Sequence, residues 1–214
     1  MNAHALVVLW LFQLMSTWSP PERRADSLLK DAQESKAQAI QRYLEIAQDA
    51  VEVAYMEEEP PILTTKDEEK ARAWTALLLL SVSYFESGFR RDVDLGVGRF
   101  ARGDGGRSWC LNQINIGKGK VPDADPVVGS WTGKDLVADR KKCFRTSLRM
   151  IRRSFSACSS QPFAYRLSAY AAGSCDKGHD ESNARLKFFN QWLRRPPVEK
   201  TPLITNPDAA RSSP

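Results

Sequence analysis

Apolar and polar positions alternate along this chain in blocks whose spacing is helical almost throughout. The first block, Ala5-Leu6-Val7-Val8-Leu9-Trp10-Leu11-Phe12 with apolar character continuing to Met15, has no polar face. Residues 1–18 have the length of an export signal and are short for a membrane span. No Lys or Arg precedes the block, and no small-x-small cleavage site stands out between Ser16 and Pro20. A degenerate or uncleaved export signal and a docked apolar helix both fit. Ser19-Pro20-Pro21-Glu22 then offers a Ser cap, proline in the first turn and Glu three residues after the cap. Leu28, Leu29, Ala32, Ile40, Tyr43, Leu44, Ala47, Val51 and Ala54 follow at three- and four-residue spacing. Residues 19–61 therefore read as one long amphipathic helix, running to about Glu58 and stopped by Glu57-Glu58-Glu59-Pro60-Pro61.

Thr65 with Glu68 has the form of a second capping box, opening a helix that ends at Glu86. Its middle, Leu77 to Leu80, is apolar all round, which marks a helix buried by neighbours. From Ser87 to Gly133 the chain is Gly-rich and charged, a long loop with room for a short hairpin. Thr132-Gly133-Lys134-Asp135 opens a helix to about Cys158, with Val137, Phe144, Leu148, Ile151 and Phe155 on its core side. Lys141, Arg145, Arg149 and Arg152 form a basic stripe on another face. Helices over 162–172 and 180–193 complete a mainly α domain spanning 62–195, and the proline-rich residues 196–214 read as a disordered tail.

Charge is unevenly distributed behind a net +5. Glu45 to Glu69 carries nine acidic residues against the single Lys66, whereas Arg140 to Cys175 carries eight basic residues and no acidic one. A basic stretch suits anionic polymers, and a solvated helix face is the plainer reading. It lacks the interleaved aromatics of a nucleic-acid platform, so no nucleic acid is expected. Glycines at 96, 98, 103, 105 and 106 are not followed by the Lys-Ser/Thr of a phosphate loop. The four cysteines, Cys110, Cys143, Cys158 and Cys175, form no Cys-x-x-Cys pair, and His4 and His179 lie far apart, so neither zinc nor any other cofactor is expected. Two disulfides are expected instead, in an oxidising compartment, each contributing about 3 kcal/mol. Pairing of sequence neighbours, Cys110–Cys143 and Cys158–Cys175, is the favoured connectivity; four buried thiols in a reduced protein are the alternative.

Glu86 is the candidate for chemistry. A carboxylate leaving a buried helix as the chain turns at Ser87-Gly88 sits at the lip of a core, where loss of water disfavours its charge and raises its pKa. An acid still protonated near neutral pH can protonate a glycosidic oxygen. An ordinary helix-end residue is the alternative. Three further segments stand in order with it: Glu86-Ser87-Gly88-Phe89, then Gly103 to Asn115 with Trp109-Cys110-Leu111-Asn112-Gln113, then Leu167-Ser168-Ala169-Tyr170-Ala171-Ala172-Gly173. This order resembles the lytic transglycosylases of the lysozyme-like superfamily over about residues 66–193. Cys110 stands where that family usually has Gly, Ala171 where it has Asn, and the stretch from Glu86 to Gln113 is longer than theirs.

The resemblance implies a lysozyme-like helical domain with an extra N-terminal helix, acting on peptidoglycan. Glu86 would serve as acid and then base, closing a 1,6-anhydro ring on N-acetylmuramic acid without water or a second carboxylate. It implies substrate contacts for Gln113 and Tyr170; Ser87, Ser108 and Trp109 are further candidates at the same cleft. Each has a bland alternative: Gln113 bracing a turn, Ser87 satisfying a helix-end carbonyl, Tyr170 and Trp109 packing in the core. A hydrolytic lysozyme would add a second acid, for which Asp92, Asp94 and Asp104 are within loop reach, and a catalytically weak peptidoglycan-binding module is the non-enzymatic alternative. Peptidoglycan lies outside the cytoplasm, which favours an exported protein of the periplasm or envelope, or a phage virion component. The basic stripe would then hold anionic envelope polymers, and the N-terminal helix would dock a secretion, conjugation or phage assembly.

Overall fold

Leu77 to Leu80 have no exposed surface in the computed structural model of the chain, which describes residues 3–194. The tail expected at 196–214 lies outside the described residues. The helix that carries these leucines, Glu68–Ser87, is the central rod of a mainly α fold. Numbered in chain order, the helices are α1 (Ala3–Trp18), α2 (Lys36–Ala54), α3 (Glu68–Ser87), α4 (Arg91–Leu95), α5 (Gly133–Ala138), α6 (Arg140–Ala157), α7 (Ser168–Ala172) and α8 (His179–Leu193). A two-strand antiparallel hairpin, β1 (Ser108–Trp109) and β2 (Ile114–Asn115), lies between α4 and α5. Helices α1, α2, α6 and α8 all pack on α3, so its leucine run has no side left for water.

α1 is a docked helix. Val7, Leu11 and Met15 are buried in the common core, and Trp18 joins Tyr84, Phe89, Phe188 and Trp192 in an aromatic cluster with ring centroids 4.8–6.2 Å from its own. No helix among the described residues is long and apolar enough to cross a membrane.

The single helix expected over residues 19–61 is instead two short 3₁₀ turns, Pro21–Arg23 and Lys30–Ala32, followed by α2. A stronger start signal lies downstream. Ser35 Oγ accepts from Gln38 N at 3.2 Å while Gln38 Oε1 accepts from Ser35 N at 2.9 Å, a reciprocal capping box that begins the helix there. Upstream, Arg24 pulls the chain aside by donating to Tyr43 Oη at 2.7 Å and to Ser19 Oγ and the Gly88 carbonyl. Leu28, counted on the apolar face, is fully exposed, and the real face is Tyr43, Ile46, Ala47, Ala50 and Ala54. At α3 the cap moves from Thr65 to Asp67, whose carboxylate accepts from Lys70 N at 3.1 Å. The helix expected from Thr132 to Cys158 is interrupted at Asp139, which is extended (φ −142°, ψ 103°) and caps α6 by accepting from Lys141 N at 2.9 Å.

The basic stripe of α6 is not a free surface. It meets the acidic stretch that precedes α3. Glu59, buried, accepts from Arg145 Nε at 2.8 Å, Arg149 Nε at 2.7 Å and Arg152 Nη1 at 3.1 Å. Lys141 pairs with Glu52 at 3.3 Å, and Arg149 reaches Asp125 at 3.0 Å. The two charged blocks neutralise each other and clamp α6 to the segment between α2 and α3. Each of the four cations of the stripe is thus paired within the fold. Burial works against Glu59's charge, yet the three guanidinium hydrogen bonds hold its carboxyl below the ordinary range.

Both disulfides are present, Cys110–Cys143 and Cys158–Cys175. Each fixes a loop to one end of α6, as an oxidising environment permits.

Glu59→Gln leaves three arginines facing a neutral amide. The expected loss is about 3 kcal/mol of unfolding free energy, read from denaturant titrations at neutral pH. Because Glu59 is depressed in the folded state, its stabilisation is complete above the unfolded carboxylate range and is lost as pH falls through the folded value. The difference between wild type and variant should therefore shrink on acidification.

Candidate active site

Glu86 is the penultimate residue of α3, and its surroundings follow from how that helix ends. Ser87 Oγ donates to the Ser83 carbonyl at 2.8 Å and accepts from Phe89 N at 3.3 Å, so this hydroxyl is used inside the helix end. Gly88 is left-handed (φ 56°), as a helix terminator of this kind requires. The chain then turns away and Phe89 plugs the core. Glu86 is left on the wall of a cleft of about 540 Å³, with its side chain 18% exposed. Ser87 does not line the cleft.

The facing wall is the loop closed by the β1–β2 hairpin. Its shape depends on Gln113, whose backbone is left-handed (φ 46°). Gln113 Oε1 accepts from Gly103 N at 2.8 Å, and its Nε2 donates to the carbonyls of Cys110 at 3.0 Å and Ala101 at 3.3 Å. A Cβ at position 103 would stand 2.8 Å from that Oε1, so only glycine lets the two strands of the loop approach this closely. Gln113 lines the cleft, but its amide is spent on bracing the wall and is not presented to a substrate.

Asp104 Oδ2 accepts from Ser108 Oγ at 2.6 Å and from Asn115 Nδ2 at 3.0 Å, which holds its carboxyl below the ordinary range. It is therefore an exposed, ionised acid on the cleft wall, with Ser108 as its buttress. The other two acids considered for a second carboxylate are elsewhere. Asp92 pairs with Arg90 at 2.7 Å, and Asp94 with Arg140 at 2.8 Å and Arg42 at 3.5 Å. Trp109 also lies off the cleft, packed against Gly133 with the Arg102 guanidinium 4.5 Å from its ring.

Beneath the cleft runs a buried polar network that the sequence motifs did not assign. Asn112 Oδ1 accepts from Ser83 Oγ and its Nδ2 donates to Ser147 Oγ, both at 2.9 Å. The Asn112 carbonyl accepts from Tyr170 Oη at 2.9 Å. α3, the hairpin loop, α6 and α7 are thereby tied at one residue. Tyr170 lines the cleft, and burial, then the nearby Glu86 charge, push its hydroxyl well above the ordinary phenol range. It is a neutral hydrogen-bonding group there.

Arg185 of α8 is the other residue that motif reading missed. Its Nη2 donates to Glu86 Oε1 at 2.6 Å, and it too lines the cleft. A signal for it exists in the sequence: Ser182, Arg185, Leu186 and Phe189 recur at helical spacing and are all buried, so a cation stands on an apolar face. Three influences set the charge of Glu86. Burial raises its pKa, the paired Arg185 lowers it, and ionised Asp104 across the cleft raises it; the net shift is upward. Two carboxyls in one cleft are thus pushed apart, Glu86 up and Asp104 down, the usual signature of an acid beside a permanently charged partner. Among the described residues no group of three His, Cys, Asp or Glu side chains could hold a metal ion.

Arg185→Ala removes the cation that favours ionised Glu86. The Glu86 titration, followed by carboxyl carbon NMR, should move to higher pH, while Asp104→Asn should move it lower. Comparison with protein-family models, curated proteins and solved structures finds no match to this chain.

Proposed function

We propose that the protein is a peptidoglycan lytic transglycosylase, cleaving the bond between N-acetylmuramic acid and N-acetylglucosamine with Glu86 as acid and then base. The observation that carries this reading is the setting of Glu86: a carboxyl whose proton affinity burial raises, on the wall of an open cleft, beside Tyr170 and Arg185. Glu86 gives its proton to the leaving O4 as the C1–O4 bond breaks, and positive charge develops at C1. The Glu86 carboxylate so formed is met by Arg185, 2.6 Å away. It then takes the proton of the muramoyl C6 hydroxyl as that oxygen bonds to C1, which closes the 1,6-anhydro ring and restores the acid. The ordered motifs around Glu86, Gln113 and Tyr170 support a lysozyme-like cleft, with Gln113 shaping the wall. The two disulfides support an exported protein of the envelope or a virion.

Asp104 favours a second reading. It is an ionised carboxylate on the same cleft, as a hydrolytic muramidase uses to steady the sugar cation or to activate water. Product chemistry separates the two. Glu86→Gln should slow the clearing of purified sacculi by at least ~100-fold while binding persists; equal clearing would remove Glu86 from the mechanism and leave a binding module.

Mass spectrometry of wild-type products should show anhydro-muropeptides, and Asp104→Asn should retain them. Reducing ends, lost in Asp104→Asn, would establish the hydrolase. Because the acid must be protonated, the rate should fall as pH climbs through the raised Glu86 value, and in Arg185→Ala that fall should occur at higher pH.

A further inference from the structure

With the α6 stripe neutralised by Glu59 and its neighbours, the positive charge that stays available concentrates elsewhere. Residues 99–120 carry Arg99, Arg102, Arg107, Lys118 and Lys120 against one acid, Asp104. All five cations are exposed, and none of them is in an ion pair among the described residues. Arg102 lies over the Trp109 ring, Arg99 over the Phe100 ring, and Arg107 Nε donates to the Asp104 carbonyl at 3.0 Å. Lys118 and Lys120 project from the turn that follows β2. This is the loop whose residues 103, 104, 108 and 113–115 build one wall of the cleft. None of the five lines the cleft itself; they flank the wall residues in the same loop, where branches leaving a polymer in the cleft would meet them.

We infer that the 99–120 loop is a cationic rim that grips the carboxylate-bearing stem peptides of the glycan, so that the preferred substrate is the peptide-substituted strand and not the bare polysaccharide. This rests on the peptidoglycan reading above and names the part of the polymer recognised. In a peptide-bearing strand the muramoyl lactyl carboxyl is spent in the amide to the peptide, so the sugar chain is neutral and charge complementarity selects the carboxylates of the peptides. Continuity with the cleft wall distinguishes this partner from a bilayer or a nucleic acid, neither of which needs to enter the cleft. A nucleic-acid groove also needs bare aromatic platforms, and Trp109 is covered on one side by Arg102 and on the other by Gly133.

The test uses Arg99→Gln/Lys118→Gln/Lys120→Gln, three exposed side chains with no hydrogen bond among the described residues, placed in the Glu86→Gln background so that binding is read without turnover. Soluble glycan strands bearing uncrosslinked stem peptides are compared with strands stripped of peptide by an amidase and then converted to methylamides at the freed lactyl carboxyls, which keeps the bare chain neutral, at low and raised salt. Circular dichroism and the thermal midpoint confirm an unchanged fold. The Glu86→Gln parent should bind peptide-bearing strands more tightly than stripped ones, with the preference fading as salt rises. The triple variant should lose about tenfold on peptide-bearing strands and nothing on stripped strands. Equal affinity of the parent for both strands, or an equal loss on both, overturns the inference. So does binding to anionic vesicles or duplex DNA that the triple substitution weakens while strand binding is unchanged. Absence of cleavage by wild type would defeat the proposed reaction and leave this comparison readable; cleavage without peptide preference would do the reverse.

Discussion

The buried side chain of Asn112 is the constraint on which the cleft depends. Its amide group joins Ser83 of α3 to Ser147 of α6, and the backbone carbonyl of the same residue accepts from Tyr170 of α7. A buried polar group is stable only when fully partnered, so the network admits few arrangements, and the one it admits sets Glu86 and Tyr170 on a common cavity. The neighbouring Cys110–Cys143 bridge fixes the same loop to α6 from the other side. Position and chemistry are linked here: the fold holds Glu86 where water is scarce but a ligand can reach it, and that placement is the largest cause of its raised proton affinity.

A second organising force is the pairing of the two charged blocks. In sequence they look like an acidic segment and an anion-binding face. In space they are the two halves of one interaction centred on Glu59, with three arginines on a carboxylate that has no contact with water. The clamp orients α6, and α6 supplies Ser147 to the network and Cys143 to the disulfide. Stability and site geometry therefore draw on the same helix.

Much of this was legible in the residues. The leucine run located the central helix, Gly88 its end, and Glu86 its part-buried carboxyl at the lip of the core; the cysteine pairing followed sequence order. What failed did so for identifiable reasons. Periodicity is blind to competing caps, so Ser35–Gln38 and Asp139 broke helices that spacing alone would have continued. One-dimensional charge counts hide pairings between distant segments, so the basic stripe read as a surface. Side-chain amides and hydroxyls have no preferred direction in a sequence: Gln113 and Ser87 stand where the motif expects them, yet their hydrogen bonds turn inward to the backbone. Trp109 reads as a candidate for the cleft because a sequence does not distinguish an open aromatic from one seated on a glycine, here Gly133. Arg185 lies 99 residues from its partner, beyond any local pattern.

That long separation has a consequence for the newborn chain. Synthesis from the amino end delivers α3 early, but the guanidinium that meets its terminal acid arrives on α8, after the cysteines of both bridges. Until α8 docks, the cleft lacks part of its wall and the acid lacks its counter-ion. Order of manufacture thus leaves this carboxyl unpaired until the helix more than ninety residues downstream has emerged.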